Sequence, residues 1–274
     1  MKKLFYSAIL FLTCLSVFAQ SAAEGNVFYP EAAKEAQVVC GNARFTVLTP
    51  RLIRMEWAEN GIFEDRATLG IVNRNLSVPA FKVKKSSSKT VITTSDLTLE
   101  YKGTGKFDAN NLSVTFTMAD PSSKKGVKKV TWRPGMDDSA NLLGTARTLD
   151  GCDGEKTREP YDKGILSRDG WAIVDESDRH VFVPVDSDWK YWVEPRDDKD
   201  RQDLYIFAYG HDYMDALADF TKVAGKIPLP PKYTFGYWWC RYWQYSDFEL
   251  IDLADHFQAY NIPIDVMIID MDWH

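Results

Sequence analysis

The sequence predicts a mainly β protein, an antiparallel β-sandwich followed by a single βαβ unit. Three observations carry that prediction. Between Gln37 and Phe207, short runs of alternating apolar residues are bounded by turn residues, the pattern of strands with one buried face. After Tyr209-Gly210 the period becomes helical and runs into a Pro-rich stretch. The remaining segment reads strand, helix, strand, the minimal unit that sets two strands parallel.

The elements follow in order. In ARFTVLTPRLIRMEWA, Phe45 and Val47 are separated from Leu52 and Met55 by a turn at Pro50. In TVITTSDLTLEYKG, Val91, Leu97, Leu99 and Tyr101 fall on one period. NNLSVTFTM and KKVTWRPG are further strands, and GWAIVDES and RHVFVPVDS flank a hairpin-like turn at Asp-Glu-Ser-Asp. Gly144 to Gly164 breaks the pattern with a long polar loop containing five acids, of a length that suits a loop reaching over a polar pocket. HDYMDALADFTKVAG is a helix with Met214, Leu217, Ala218 and Phe220 as its apolar residues, Asp212 as its cap and Gly225 as its stop. KIPLPPK is a stiff linker, because Pro228, Pro230 and Pro231 fix φ and donate nothing to a ladder. YTFGYWWC then reads as a strand buried on both faces, with Trp238 and Trp239 in the core. SDFELIDLADHFQAY is a helix opened by a Ser246/Glu249 capping box and presenting Leu250, Ala254 and Phe257, and Pro263 leads into the strand IDVMIID. The domains expected are 20–225, the sandwich with its linking helix, and 226–274, the α/β segment.

Residues 1–19 read as a secretory signal peptide: Lys2 and Lys3, a short apolar run, then Val17-Phe18-Ala19 with cleavage after Ala19. The run is too short to span a membrane comfortably, and Leu12-Thr13-Cys14 is a poor lipobox, so a periplasmic or secreted protein is expected rather than a lipoprotein. Beyond the signal, Cys40, Cys152 and Cys240 support neither a disulfide scaffold nor a zinc site. A net charge of −6 without a dense basic stripe argues against nucleic acid as partner. The four His are scattered, the acids lack ligand spacing, and no glycine-rich phosphate loop follows a strand, so no metal and no organic cofactor is implied. Oligomeric state is left open.

In parallel α/β sheets ligands bind at the carboxyl ends of strands. Arg241, Tyr242 and Trp243 end the first parallel strand, and Asp270, Met271, Asp272, Trp273 and His274 end the second. Aromatic rings offer apolar faces to sugar rings and a carboxylate accepts hydrogen bonds from two hydroxyls, so this is a carbohydrate-site composition. A carboxylate ending an apolar strand, as Asp270 does, costs free energy unless function requires it, whereas Asp272 suits an ion pair equally well.

The run KIPLPPKYTFGYWWCRYWQYS…IPIDVMIIDMDWH resembles the start of the catalytic barrel of glycoside hydrolase family 31, the α-glucosidase and α-xylosidase family. The resemblance rests on Pro228, Pro230, Pro231, Gly236, Arg241, Tyr245, Ser246, Pro263, Asp265, Val266, Asp270, Asp272 and Trp273. NLLGTARTLDG and LSRDGWAIVDES are similar to the family's N-terminal sandwich, of galactose-mutarotase-like type. The resemblance implies a retaining α-glycosidase acting on oligosaccharides by double displacement. Asp270 then matches the aspartate that hydrogen-bonds the sugar in the cleavage subsite, and Met271 lines that subsite. Arg241, Trp243, Asp272 and Trp273 are expected at its rim. The nucleophile and the acid/base belong to later strands, so the βαβ unit is the first of a truncated (β/α)8 barrel and the chain alone is expected to be inactive. A complete barrel takes roughly 250 residues. The family's sandwich also sends a loop to the active-site mouth. Its counterpart here is the acidic loop with Asp150, Asp153 and Asp162, and Arg168 and Asp169 are further possibilities that serve equally well as a structural turn. An α-xylosidase or transglycosylase is possible within the class. The reading outside it is a non-catalytic carbohydrate-binding sandwich.

Overall fold

The computed structural model describes residues 28–103, 105–144, 161–186, 190–196 and 200–270. The chain divides into two compact units between Lys226 and Ile227. The first is mainly β. One five-stranded sheet runs β1 (Gln37–Cys40), β2 (Ala43–Val47), β3 (Leu52–Ala58), β12 (Arg201–Phe207) and β9 (Ala172–Asp175). The other runs β4 (Lys82–Lys85), β5 (Lys89–Thr93), β6 (Leu97–Lys102), β7 (Leu112–Ala119) and β8 (Val127–Trp132) in sequence order. Every neighbour in both is antiparallel. A separate ribbon joins β10 (Val181–Pro184) to β11 (Tyr191–Glu194).

Alternation within strands builds the main core. Phe45, Val47, Ile53, Met55 and Ile206 from the first sheet meet Ile92, Leu97, Leu99, Tyr101, Val114 and Phe116 from the second in one buried cluster. Each such side chain contributes about 1.5–3 kcal/mol on burial, so this shared cluster is the main source of the unit's stability. A smaller cluster lies on the other face of the first sheet, where Leu52, Tyr205 and Phe207 pack with Ile71, Ala216 and Val223. Because both faces are covered, β2 and β3 are buried along their whole length. Their outward residues therefore form a buried polar layer. Register sets Arg44 beside Glu56 and Glu56 beside Asp203. Arg44 donates to Glu56 at 2.7 Å, Arg54 donates twice to Asp203 at 2.8 Å, and Arg196 donates to Asp203 at 2.8 Å.

Several local expectations change. Val91 lies beside Glu100, and it is Ile92, opposite Leu99, that enters the core, because the turn after Thr93 reverses the parity between the two strands. The turn after β9 does not close a hairpin: β9 pairs with β12, while β10 joins β11 and Val181 bridges Thr68. The helix α1 (Tyr213–Ala224) buries Ala216 and Val223, with Phe220 half-buried, and leaves Met214 76% and Leu217 40% exposed. Its apolar face is thus turned from the one read in the sequence. Asp212 occupies the cap position but its carboxylate caps nothing, because it accepts from Arg51 at 2.6 Å.

The second unit contains β13 (Trp238–Arg241), helix α2 (Asp247–Ala259) and β14 (Val266–Ile269), with β13 and β14 parallel. Ser246 and Glu249 form the expected capping box. The first strand is shorter than its apolar run, because Lys232–Phe235 is a 3-10 turn opened by Pro231 and tied by the Thr234 hydroxyl to the Pro231 carbonyl at 2.7 Å. No described residue of 227–270 is buried. Trp238 is 46% exposed and Trp239 half-buried, contrary to a strand covered on both faces. Two strands and one helix cover one face only. No helix among the described residues is long and apolar enough to cross a membrane.

Candidate functional site

Parallel pairing aligns Trp238 with Val266, Cys240 with Ile268 and Arg241 with Ile269. Both strands therefore end together, and Arg241 to Trp243 and Asp270 leave at the same carboxyl edge. The amino end is locked by a different acid. Asp265 accepts from the Tyr237 amide at 3.0 Å, and a Cβ at Gly236 would overlap the Asp265 carboxylate. Gly236 is thus required by close approach.

Pleating sorts the residues onto two faces. Tyr237 and Trp239 face α2, with ring centroids 6.1 and 6.2 Å from that of Phe257. Trp239 also packs edge-on against Tyr245 at 5.7 Å. Trp238, Cys240, Ile268 and Asp270 belong by alternation to the opposite face, away from the helix. The Cys240 thiol lies 3.8 Å from the Asp270 carboxylate, within reach of a weak S–H donation. Arg241 places its guanidinium 4.7 Å from the centroid of Trp243, a cation–π pair that holds both at the rim. This edge can present a carboxylate, a fixed cation and flat aromatic surface to a hydroxylated ligand.

Of the residues singled out from the sequence, Asp270, Arg241 and Trp243 are thus at one strand edge. Met271, Asp272 and Trp273 lie outside the described residues, as do Asp150 and Asp153. Arg168 and Asp169 serve a turn: the Arg168 amide donates to the Ala140 carbonyl at 3.0 Å, and the Asp169 amide donates to the Ser167 hydroxyl at 3.2 Å. One neighbour of Asp270, Cys240, was not singled out from the sequence. The signal for it was parity: Cys240 is aligned with Ile268 across the parallel register, two residues before Asp270.

The described base of the acidic loop is also built tightly. Asn141, Asp138 and Ser167 are buried at 7%, 6% and 2% exposure. The Asn141 amide donates to Asp138 at 2.6 Å and to the Gly164 carbonyl at 2.9 Å, and accepts from the amides of Leu143 at 2.8 Å and Gly164 at 2.9 Å. Leu143 has φ of 64°, left-handed backbone that costs a non-glycine residue about 1–2 kcal/mol. Among the described residues no group of three or more His, Cys, Asp or Glu is gathered as for a metal ion.

Comparison with known proteins adds to this geometry. Residues 227–274 match the family model for the glycosyl hydrolases family 31 TIM-barrel domain. Alpha-glucosidase 2 of Bacillus thermoamyloliquefaciens is 38% identical over 69 residues, 25% of this chain and 9% of that protein. The alpha-xylosidase of Saccharolobus solfataricus is 32% identical over 66 residues, 24% of this chain and 9% of that protein. The aligned part is therefore a small fraction of either relative's length. Among solved structures, a GH31 dextranase of Flavobacterium johnsoniae complexed with glucose superposes with a TM-score of 0.52 at 16% identity, covering 91% of this chain and 35% of that one. A GH31 alpha-xylosidase from a soil metagenome complexed with xylose gives 0.51 at 12%, covering 86% and 42%. These two likenesses concern fold. Through the segment 227–274, with its parallel strands and the acid at their carboxyl edge, the chain is similar to the TIM-barrel domain of glycoside hydrolase family 31.

Proposed function

We propose that this chain is the N-terminal part of an exported retaining α-glycosidase that hydrolyses α-glucosides of oligosaccharides. In this reading the two five-stranded sheets are the family's N-terminal sandwich, and 226–274 opens a (β/α)8 barrel whose later strands carry the nucleophile and the acid/base. One observation carries it: Asp270 sits at the carboxyl edge of the parallel pair, on the face turned from α2. Helices ring the outside of such a barrel, so that face is its interior, where substrate binds. A carboxylate there hydrogen-bonds sugar hydroxyls, and bonds of this kind tighten as the ring flattens toward the oxocarbenium-like transition state. In this reading Arg241 and Trp243 form the rim, with Met271, Asp272 and Trp273 as further substrate-binding residues. The names of relatives that are an α-glucosidase and an α-xylosidase support the substrate class. The basic and apolar residues of 1–19 support export.

The experiment is an assay of the complete gene product containing this chain on p-nitrophenyl α-glucoside and α-xyloside. Cleavage of the glucoside with retention of anomeric configuration is expected. A product inert on every α-glycoside yet binding oligosaccharide would instead favour a non-catalytic carbohydrate-binding sandwich.

A further inference from the structure

Residues 82–133 carry eleven Lys and Arg against four Asp and Glu, a net charge of +7 within a chain of net charge −6. They are the residues of β4 to β8, so the protein gathers its positive charge on the second sheet. The charge lies in short runs that only strand pairing brings onto one sheet. Alternation turns Leu97, Leu99, Val114 and Phe116 into the core, and Thr98, Glu100, Ser113 and Thr115 to the opposite face. On that face the register lines up Thr93, Thr98, Thr115 and Thr131 across four strands. With neighbouring strands about 4.8 Å apart, this row of hydroxyls is about 14 Å long. The Thr115 and Thr131 hydroxyls are 2.9 Å apart. The row lies in a groove of about 540 Å³ whose lining also includes Asp96, Glu100, Lys129 and Arg133. The acids of the groove are answered within the protein: Lys89 and Lys102 approach Glu100 at 3.0 and 3.8 Å, and Arg51 approaches Asp96 at 3.6 Å. Lys129 and Arg133 therefore set the sign of its surface.

We propose that this groove binds an acidic polysaccharide whose rings keep their free hydroxyls, a polyuronate. Its carboxylates pair with Lys129 and Arg133, and its hydroxyls exchange hydrogen bonds with the threonine row, where each side chain offers one donor and two acceptor positions. Single-stranded nucleic acid suits the groove less well, because its bases stack on open rings. Phe116, the one aromatic residue among the described lining residues, is turned into the core and is 3% exposed. The proposal goes beyond the glycosidase reading and does not depend on it.

The test is calorimetric titration of the complete gene product with polygalacturonate oligosaccharides over about 50 to 200 mM salt, beside duplex DNA as a second polyanion. Binding of polygalacturonate that weakens with salt is expected. Lys129→Glu is expected to weaken it about tenfold and to flatten the slope of log Kd against log salt by about one to two. Thr115→Val keeps the β-branched shape and removes one hydroxyl, so a loss of about fivefold with the slope unchanged is expected. Lys34→Glu, the same change of charge in the turn before β1, is expected to leave both unchanged. Should Thr115→Val lose its cooperative melt, Thr98→Val, the next position in the row, decides. Absence of binding, an unchanged Kd in the folded threonine variant, an equal loss in Lys34→Glu, or tighter binding of duplex DNA overturns the proposal, and each leaves the glycosidase reading intact.

Discussion

Glu176 is 2% exposed, and its Oε2 finds no hydrogen-bond partner. Burial pushes its carboxyl above the ordinary range, and the negative charge of Asp203 adds to the rise while Thr68, Arg179 and Arg196 oppose it. Burial would raise Asp203 as well, but there Arg54 and Arg196 prevail and hold it well below that range. The two acids therefore act on stability with opposite signs. Asp203, depressed in the fold, contributes stability above the unfolded carboxylate pKa that is lost as pH falls through its folded pKa. Glu176, raised, contributes stability that is full below the unfolded pKa and lost as pH rises through its folded pKa. Glu176→Gln is accordingly expected to raise the melting temperature at neutral pH by roughly 2–4 °C and to have little effect in acid. Thermal melts from about pH 4 to pH 8 check this, and a lower melting temperature at neutral pH would contradict it. Asp203→Asn is expected to cost about 3–5 kcal/mol in urea unfolding, because it leaves Arg196 buried without its anion and Arg54 with Glu56 alone, at 3.0 Å. Little of this layer was legible. The alternation of Arg44, Arg54 and Glu56 with apolar neighbours reads as a solvated face, and only pairing with Asp203, 149 residues from Arg54, together with coverage by Ile71 and α1, buries it.

At the scale of single elements, the features read correctly are those whose cause lies within a few residues. The capping box of α2 is one: the Ser246 hydroxyl accepts from the Glu249 amide at 3.3 Å, and the Glu249 carboxylate accepts from the Ser246 amide at 2.8 Å. Ser246→Ala is expected to cost about 1 kcal/mol, seen as about fivefold faster hydrogen exchange in the first turn of α2. Unchanged protection at Asp247 to Leu250 would contradict the assignment. The misread elements have distant causes. Asp212 is drawn from its cap by Arg51, 161 residues away in sequence. The strand after Asp175 joins β11 because its partner is chosen by the ribbon rather than by the turn preceding it. Asp270 was legible as a candidate at a strand end, because strand ends are marked by the change from apolar to acidic residues. Its neighbour Cys240 was not, since only the register of the parallel pair brings the two together.

For the whole molecule, the unequal burial of the two units sets the expectation. The first holds both buried clusters, whereas no described residue of the second is buried. Residues 28–226 expressed alone are expected to melt cooperatively, whereas 227–274 alone is expected to stay unfolded, since a βαβ unit of that size lacks the buried area to offset its chain entropy. Circular dichroism melts of the two pieces check this, and a cooperative transition for 227–274 alone would contradict it. The apolar strand residues that read as core in the sequence, Trp238 above all, are exposed for the same reason.

The measurement that bears most directly on the central claim is kcat/KM of the complete gene product beside its Asp270→Ala variant on the α-glycoside it cleaves best. Hydrogen bonds that sugar hydroxyls donate to a subsite carboxylate, and that strengthen in the transition state, predict a fall of about a hundredfold or more, with the melting temperature unchanged. A folded Asp270→Ala variant with the kcat/KM of the unaltered protein would contradict the placement of Asp270 in the cleavage subsite.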